Sequence, residues 1–356
     1  MITGVLFAAG LLILVSGADV LVRGAVRLSV MAGISSLVIG LTVVAFGTSA
    51  PELAVSVISA WNGEADIAVG NVVGSNILNV LLVLGLAAAI APLTVPRRLL
   101  HFDVPVMIVL SLALWWLAGD GRIGGGDGLL LLVSLAAYLL YTLHRDRHRV
   151  PGSRDAPETA TVSQEGAAMA WTVGVMQVAG GLVMLTLGAR WMVEGAVYIA
   201  EVLGVSKLIV GLTVVAVGTS LPELATSAVA AVRGERDIAV GNAVGSNIFN
   251  ILAVLGVSSL AAHNGLTVSS QVLALHIPVM VAAALVCVPV FFTGGRISRG
   301  EGLLFLGYYA AYTAYLVMTA THHPALGRIS LVMLIVVLLT AVRLLVSMLR
   351  ELRVPK

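Results

Sequence analysis

Gly47-Thr48-Ser49-Ala50-Pro51-Glu52 and Gly70-Asn71-Val72-Val73-Gly74-Ser75-Asn76-Ile77-Leu78-Asn79 return 171 residues later as Gly218-Thr219-Ser220-Leu221-Pro222-Glu223 and Gly241-Asn242-Ala243-Val244-Gly245-Ser246-Asn247-Ile248-Phe249-Asn250. Both motifs lie within a longer duplication. Residues 33–85 are written twice without a gap, with roughly 36 aligned positions identical. Each copy plants a carboxylate, hydroxyls, amides and a proline in otherwise apolar sequence. Interruptions at matching places in repeated hydrophobic segments point to the midplane site of a transporter.

The composition demands lipid as solvent. The 356 residues have a mean hydropathy of +1.05, are 59% hydrophobic and only 11% charged. A soluble domain cannot hide that much apolar surface. A net charge of +2 gives no reason to expect a nucleic-acid partner. The single cysteine, Cys287, sits in an apolar run and reads as an inert buried thiol. The apolar start has neither a basic n-region nor a small-x-small cleavage site, so it reads as a first membrane helix.

Apolar stretches near 2–22, 36–60, 67–91, 102–117, 128–143, 168–187, 208–231, 238–262, 272–292, 303–320 and 329–349 approach the length of a span. The expected fold is an all-α integral membrane protein of two inverted five-helix repeats, ten core helices in all, followed by an eleventh, C-terminal helix. The first repeat covers 1–143, a charged cytoplasmic linker 144–167, the second repeat 168–320, and the last helix and tail 321–356. In the eleventh segment, either Arg343 snorkels to the cytoplasmic face or the segment lies in the interface.

Basic residues set the orientation. With the N-terminus outside, inside segments hold fifteen Lys and Arg, among them Arg97, Arg98, Arg233, Arg236, Arg296 and Arg299, whereas outside loops hold only Arg122, Lys207 and Arg328. Five helices per half then make the second copy enter the membrane upside down. Asp19 and Arg23 align with Arg190 and Glu194, so the charges exchange sign between copies. Each pair is spaced i, i+4 and predicts a local ion pair.

Pro51 and Pro222 remove a helical N–H and clash with the carbonyls of Gly47 and Gly218, four residues back. The break is expected to free carbonyls around 45–48 and 216–219. Backbone opened at membrane depth survives only inside protein or beside a wet cavity. Carbonyls beside hydroxyls form a hard oxygen site suited to Na⁺ or Ca²⁺. Glu52 and Glu223 have no Lys or Arg in their own segments, and an unpartnered carboxylate in a span is costly. Bound cations would relieve both the burial and the mutual repulsion. Thr48, Ser49, Thr219 and Ser220 either ligate or bond back to helix carbonyls. Ser75 with Asn79, and Ser246 with Asn250, each share one helix face. Asn71, Asn76, Asn242 and Asn247 read as inter-helix hydrogen-bonding residues. Gly70 with Gly74 and Gly241 with Gly245 allow close packing. His276, near Pro278, reads as a satisfied packing residue. There is no zinc helix and no phosphate-binding loop, so ATP-driven pumping and metalloprotease chemistry lack their equipment, and the chain is not read as an enzyme.

These paired, repeated motifs resemble the prokaryotic sodium/calcium exchanger branch of the Ca²⁺/cation antiporter superfamily, over nearly the whole chain. Related proton/calcium exchangers usually have Gly-Asn-x-x-Glu in place of Gly-Thr-Ser-x-Pro-Glu. The resemblance implies an antiporter of the cell membrane with four central cation positions. It makes Glu52 and Glu223 shared carboxylates and Ala45 and Ala216 carbonyl donors. Thr48, Ser49, Ser75, Thr219, Ser220 and Ser246 add oxygens toward the two mouths, and Asn79 and Asn250 close the middle. It implies three Na⁺ exchanged for one Ca²⁺ by the first and sixth helices sliding across the rest, with these ions as cargo, no cofactor, and a working monomer. Several family members carry Asp where this chain has Asn250. The alternatives are a proton-coupled or K⁺-dependent exchanger on the same scaffold and, from another class, a cation channel.

Overall fold

A main chain in lipid has no water to bond with, so apolar runs of about 20 residues close their hydrogen bonds within a helix. The computed structural model follows that rule almost throughout. It describes residues 2–147, 164–205, 207–210, 213–214, 216–292 and 294–352. In chain order the helices are α1 (Ile2–Ala32), α2 (Ser36–Thr48), α3 (Ala50–Trp61), α4 (Ala65–Ile90), α5 (Leu99–Asp120), α6 (Gly125–Arg147), α7 (Gln164–Val202), α8 (Lys207–Val210), α9 (Ala216–Gly218), α10 (Leu221–Arg233), α11 (Arg236–Ala261), α12 (Val272–Phe292), α13 (Arg299–Ala320) and α14 (Leu326–Leu352). Among the described residues nine helices are long and apolar enough to cross a membrane, and α2 with α3 forms a tenth span bent by 44°. The remaining expected span, 208–231, corresponds to α8, α9 and α10, with 211, 212 and 215 outside the described residues. The C-terminal segment forms one helix, α14, that passes through Arg343 without a break.

Several boundaries differ from the sequence reading. α1 continues to Ala32, and α7 runs for 39 residues rather than ending near 187. The charged residues at 19, 23, 190 and 194 pair along their own helices, so they do not end them. At 1.5 Å per residue α7 is about 58 Å long, far more than a bilayer core, and must tilt or protrude. The expected linker is shorter, because α6 reaches Arg147 and α7 begins at Gln164; residues 148–163 lie outside the described residues.

α1 and α7 pack antiparallel along most of their lengths. Gly10, Gly17 and Gly24 face a second row, Gly174, Gly181, Gly188 and Gly195. Both rows have a seven-residue period, which keeps them on one stripe. A Cβ on Gly10 would lie 2.6 Å from Met192 N, and one on Gly181 2.7 Å from Leu21 N. The backbones are therefore in direct contact, as small residues permit in lipid.

α4 and α11 form the centre; α11 is buried without interruption from Ile238 to Gly256. Gly241 and Gly245 let α11 lie against the backbone of α2 at Leu37, Gly40 and Leu41. Two short ladders join the loops. β1 (Leu93–Thr94) pairs antiparallel with β4 (Arg296–Ile297), and β2 (Arg122–Ile123) with β3 (Leu266–Thr267). A Leu-Thr of one half thus meets an Arg-Ile of the other, twice, and each ladder joins loops that the charge distribution assigns to one side. Wider π-helical turns also recur at matching places. Asn79–Leu84 and Asn250–Leu255 interrupt α4 and α11, and Leu99–Asp103 and Val272–His276 open α5 and α12.

Candidate ion-binding site

The bend between α2 and α3 is a single residue wide. Ser49 leaves helical geometry at φ −81°, ψ 4°, and Ser220 does the same at φ −91°, ψ 8° before α10. Pro51 and Pro222 take the second position of the helices that restart there, where a missing N–H costs nothing. Glu52 and Glu223 follow in the first turn, where the helix dipole favours a negative charge. The opening is narrower than expected. Ala45 O still accepts from Ser49 N at 3.0 Å and from Thr48 Oγ1 at 3.3 Å, so that carbonyl keeps protein partners. Proline removes the donor to Gly47 and Gly218 instead. Ala216 heads α9, the short helix that precedes Ser220.

Both glutamates are fully buried, and their partners are hydroxyls. Ser220 Oγ donates to Glu52 Oε1 at 2.8 Å, and Ser49 Oγ donates to Glu223 Oε1 at 3.1 Å. Each serine thus serves the carboxylate of the other half, and the two breaks form one cluster. Ser75 Oγ joins it at 3.4 Å from Glu52 Oε1 and 3.1 Å from Ser220 Oγ. Thr48 Oγ1 shares its one proton between Ala45 O and Asn242 Oδ1, the latter at 3.1 Å, and Thr219 Oγ1 donates to Asn71 Oδ1 at 3.4 Å. Asn71 Nδ2 in turn bonds to Glu52 O at 3.2 Å and Ser56 Oγ at 2.9 Å. Asn242 Nδ2 bonds to Glu223 O at 3.3 Å and Ser227 Oγ at 3.0 Å. The asparagines read as inter-helix residues do hold helices, and they hold the glutamate backbones as well. Ser56 and Ser227, which the sequence reading passed over, complete these brackets; their signal was their matching place in the two copies.

Asn79 and Asn250 open the π-helical turns of α4 and α11. The turn at Asn79 packs on α10, which carries Glu223, and the turn at Asn250 packs on α3, which carries Glu52. Among the described residues thirteen buried side-chain atoms lack a hydrogen-bond partner. Six of them are Glu52 Oε2, Glu223 Oε2, Asn79 Oδ1 and Nδ2, Asn250 Oδ1 and Ser246 Oγ, all on residues singled out from sequence. Buried polar atoms are normally satisfied, because leaving them bare costs free energy. Five of the six are oxygens. A cation bound by them would satisfy carboxylate, amide and hydroxyl oxygens together, the donor set of a hard ion. No group of three or more His, Cys, Asp or Glu side chains converges anywhere among the described residues, so the donors here are two carboxylates and neutral oxygens rather than a softer metal cage.

The chain is similar to known proteins over most of its length. The family model described as sodium/calcium exchanger protein matches residues 2–144 and 173–318. The putative antiporter CaxA of Alkalimonas amylolytica is 38% identical over 308 residues, spanning 85% of this chain and 95% of that protein. The sodium/calcium exchanger MaX1 of Methanosarcina acetivorans is 32% identical over 339 residues, spanning 86% and 96%. Among solved structures, the sodium-calcium exchanger NCX_Mj soaked with 10 mM Na⁺ and 10 mM Sr²⁺ superposes with a TM-score of 0.74 at 33% identity, covering 88% of this chain and 98% of that one. With both copies of the Thr-Ser-x-Pro-Glu motif inside the matched regions, the chain belongs to the sodium/calcium exchanger protein family.

Proposed function

We propose that this protein is a secondary antiporter that exchanges Na⁺ for Ca²⁺ across the cell membrane by alternating access at a midplane site. Its two halves, 1–143 and 168–320, lie in the membrane with opposite topology and the N-terminus outside. Glu52 and Glu223 are the shared carboxylates. Ser49, Ser75, Ser220 and Ser246, Thr48 and Thr219, and the amide oxygens of Asn79 and Asn250 complete the cation shells. The carbonyls of Ala45 and Ala216 join them, Ala45 on release of the Thr48 hydroxyl that it now accepts. Because one chain supplies both carboxylates, a monomer suffices. The observation that carries this reading is the set of bare, buried oxygens on residues drawn from both halves, two of them on glutamates that the crossed serine bonds tie together.

The chemistry follows from charge. Two ionised carboxylates carry −2, which one Ca²⁺ neutralises and three Na⁺ overbalance. In either loaded state the cluster is relieved of most of its repulsion, whereas the empty, doubly charged site is the costly one. A transporter that crosses only when loaded exchanges one cargo for the other. The test is radiolabelled Ca²⁺ uptake into proteoliposomes under imposed Na⁺, K⁺ or pH gradients. Uptake that needs internal Na⁺ and is lost in folded Glu52→Gln and Glu223→Gln supports the proposal. Uptake that continues without Na⁺ but follows the K⁺ or proton gradient assigns the coupling to those ions, and currents without a counter-ion assign a channel.

A further inference from the structure

We propose that Asn76 is a positioning residue: through a fixed chain of amide orientations it turns the side-chain oxygen of Asn250 toward the cations held between Glu52 and Glu223. The inference rests on the reading of Asn250 as a cation ligand.

Asn76 and Asn247 lie side by side where the two halves meet. Asn76 Nδ2 donates to Asn247 O at 3.3 Å, and Asn247 Nδ2 donates to Asn76 O at 3.3 Å. Both amide groups also lie against sulfur, Asn76 against Met280 Sδ at 3.6 Å and Asn247 against Met107 Sδ at 3.4 Å. A main-chain carbonyl only accepts, so it dictates which end of each side-chain amide faces it. The Asn76 nitrogen is committed, and its Oδ1 must point the other way. That oxygen can only accept, so its neighbour must present a donor. The neighbour is Asn250, whose Nδ2 lies 3.1 Å away. The NH₂ of Asn250 is thereby held away from the ion cluster, and its Oδ1 is left buried and without a protein partner. Turned by 180°, the amide would set oxygen against oxygen at Asn76 and direct its positive hydrogens at a cation.

The other arm is not built the same way. Asn79 stands to Asn247 as Asn250 stands to Asn76, yet Asn247 Oδ1 and both amide atoms of Asn79 have no partner. One amide oxygen is aimed in advance, and the other is turned by the ion when it binds. Preorganised ligands bind more tightly because less ordering remains to be done.

The test is a double-mutant cycle on the purified full-length protein. Equilibrium binding of ²²Na⁺ and ⁴⁵Ca²⁺ is read, together with the thermal stability of the ion-free protein. Asn76→Ala is expected to weaken binding of at least one ion about tenfold, the cost of one misdirected ligand. Asn250→Ala is expected to weaken it at least as much, and the double variant no further than Asn250→Ala alone. Asn247→Ala is expected to stay within about threefold of the parent, because Asn79 does not depend on it. Losses that multiply in the double variant, or an Asn76→Ala protein that binds both ions as the parent does, overturn the proposal, as does equal weakening by Asn247→Ala. A purely structural role would lower ion-free stability and leave the cycle additive. If Asn76→Ala does not fold, Asn76→Gln replaces it; the longer amide keeps its hydrogen-bonding groups but displaces the oxygen from Asn250, and the same outcomes apply. Parent-like binding by Asn250→Ala while Glu52→Gln abolishes binding rejects this inference alone, whereas parent-like binding by Glu52→Gln rejects the site itself.

Discussion

Ser49 and Ser220 each cross to the opposite half's glutamate, and the asparagine brackets behind them match bond for bond. At the helix ends that equivalence stops. Asp103 closes the π-helical turn of α5, accepts from Tyr138 OH at 3.1 Å and stands 3.8 Å from Arg98 Nε. Arg98 also bonds to Asp146 at 3.0 Å, and Asp146 accepts from Ser35 N at 2.7 Å and Ser35 Oγ at 3.0 Å at the start of α2. In the second half His276 closes the matching turn and bonds to Tyr312 OH at 2.8 Å, while Gln271 and Ala320 stand where Arg98 and Asp146 would be. A second asymmetry lies along α1. Asp19 accepts from Arg23 and also from Arg233 at the end of α10, whereas Arg190 and Glu194 pair within α7, and Asn62 takes the place of Arg233. An open cleft of about 330 Å³, lined by Ser36, Thr94, Gly234, Glu235, Arg236 and Asp237, lies at the more charged face. The contrast teaches that the backbones of the two glutamates are braced alike in both copies, whereas the charged helix ends are not. A cation shared by the two glutamates would need matching oxygens from each half, but would not require the helix ends to be equally strapped.

The largest effect should come from the centre and should be equal in both copies. Glu52→Gln and Glu223→Gln should each lower Na⁺-driven Ca²⁺ uptake at least about hundredfold, since in the proposed site each removes half of the negative charge offered to the ion. A gap of more than about tenfold between the two variants would break the symmetry argued here. Next comes the charged end. Arg98→Met leaves Asp103 and Asp146 buried without their cation and should cost about 3–5 kcal/mol in unfolding of the purified protein, whereas Gln271→Met should stay within about 1 kcal/mol. The glycine stripe is symmetric, so Gly17→Ala and Gly188→Ala should each cost about 1–3 kcal/mol by forcing α1 and α7 apart. Gly180→Ala serves as control, because no described atom lies within 4 Å of a Cβ there. Smallest is Arg233→Gln. Its partner Asp19 is already bonded to Arg23 and both side chains are partly exposed, so the change should stay below about 1 kcal/mol and shrink further in high salt.

Much of this was legible in sequence because lipid makes polar residues conspicuous. A glutamate, a proline and three asparagines inside two neighbouring apolar runs must have a reason, and finding the same set at the same spacing twice singled out the candidate site. The i, i+4 pairs Asp19–Arg23 and Arg190–Glu194 were legible because both partners lie on one helix. The glycine stripe was written openly as a seven-residue period but passed over, since a single helix does not reveal what its glycines face. Spans 2–22 and 168–187 were cut short because a charged pair looks like a helix end until its members satisfy each other. Ser49 could not be assigned to Glu223 rather than Glu52, because that bond joins residues 174 positions apart.

The chain alone determined the spans, the duplication, the two carboxylates and the amides around them, because these follow from local pattern and from the cost of polarity in lipid. The fold decided which half serves which. It set the serines across the divide, turned Asn250 by way of Asn76, zipped α1 to α7, and gave Asp19 to Arg233. Each of these depends on two backbones meeting at a few ångströms, a distance that no spacing along one chain encodes.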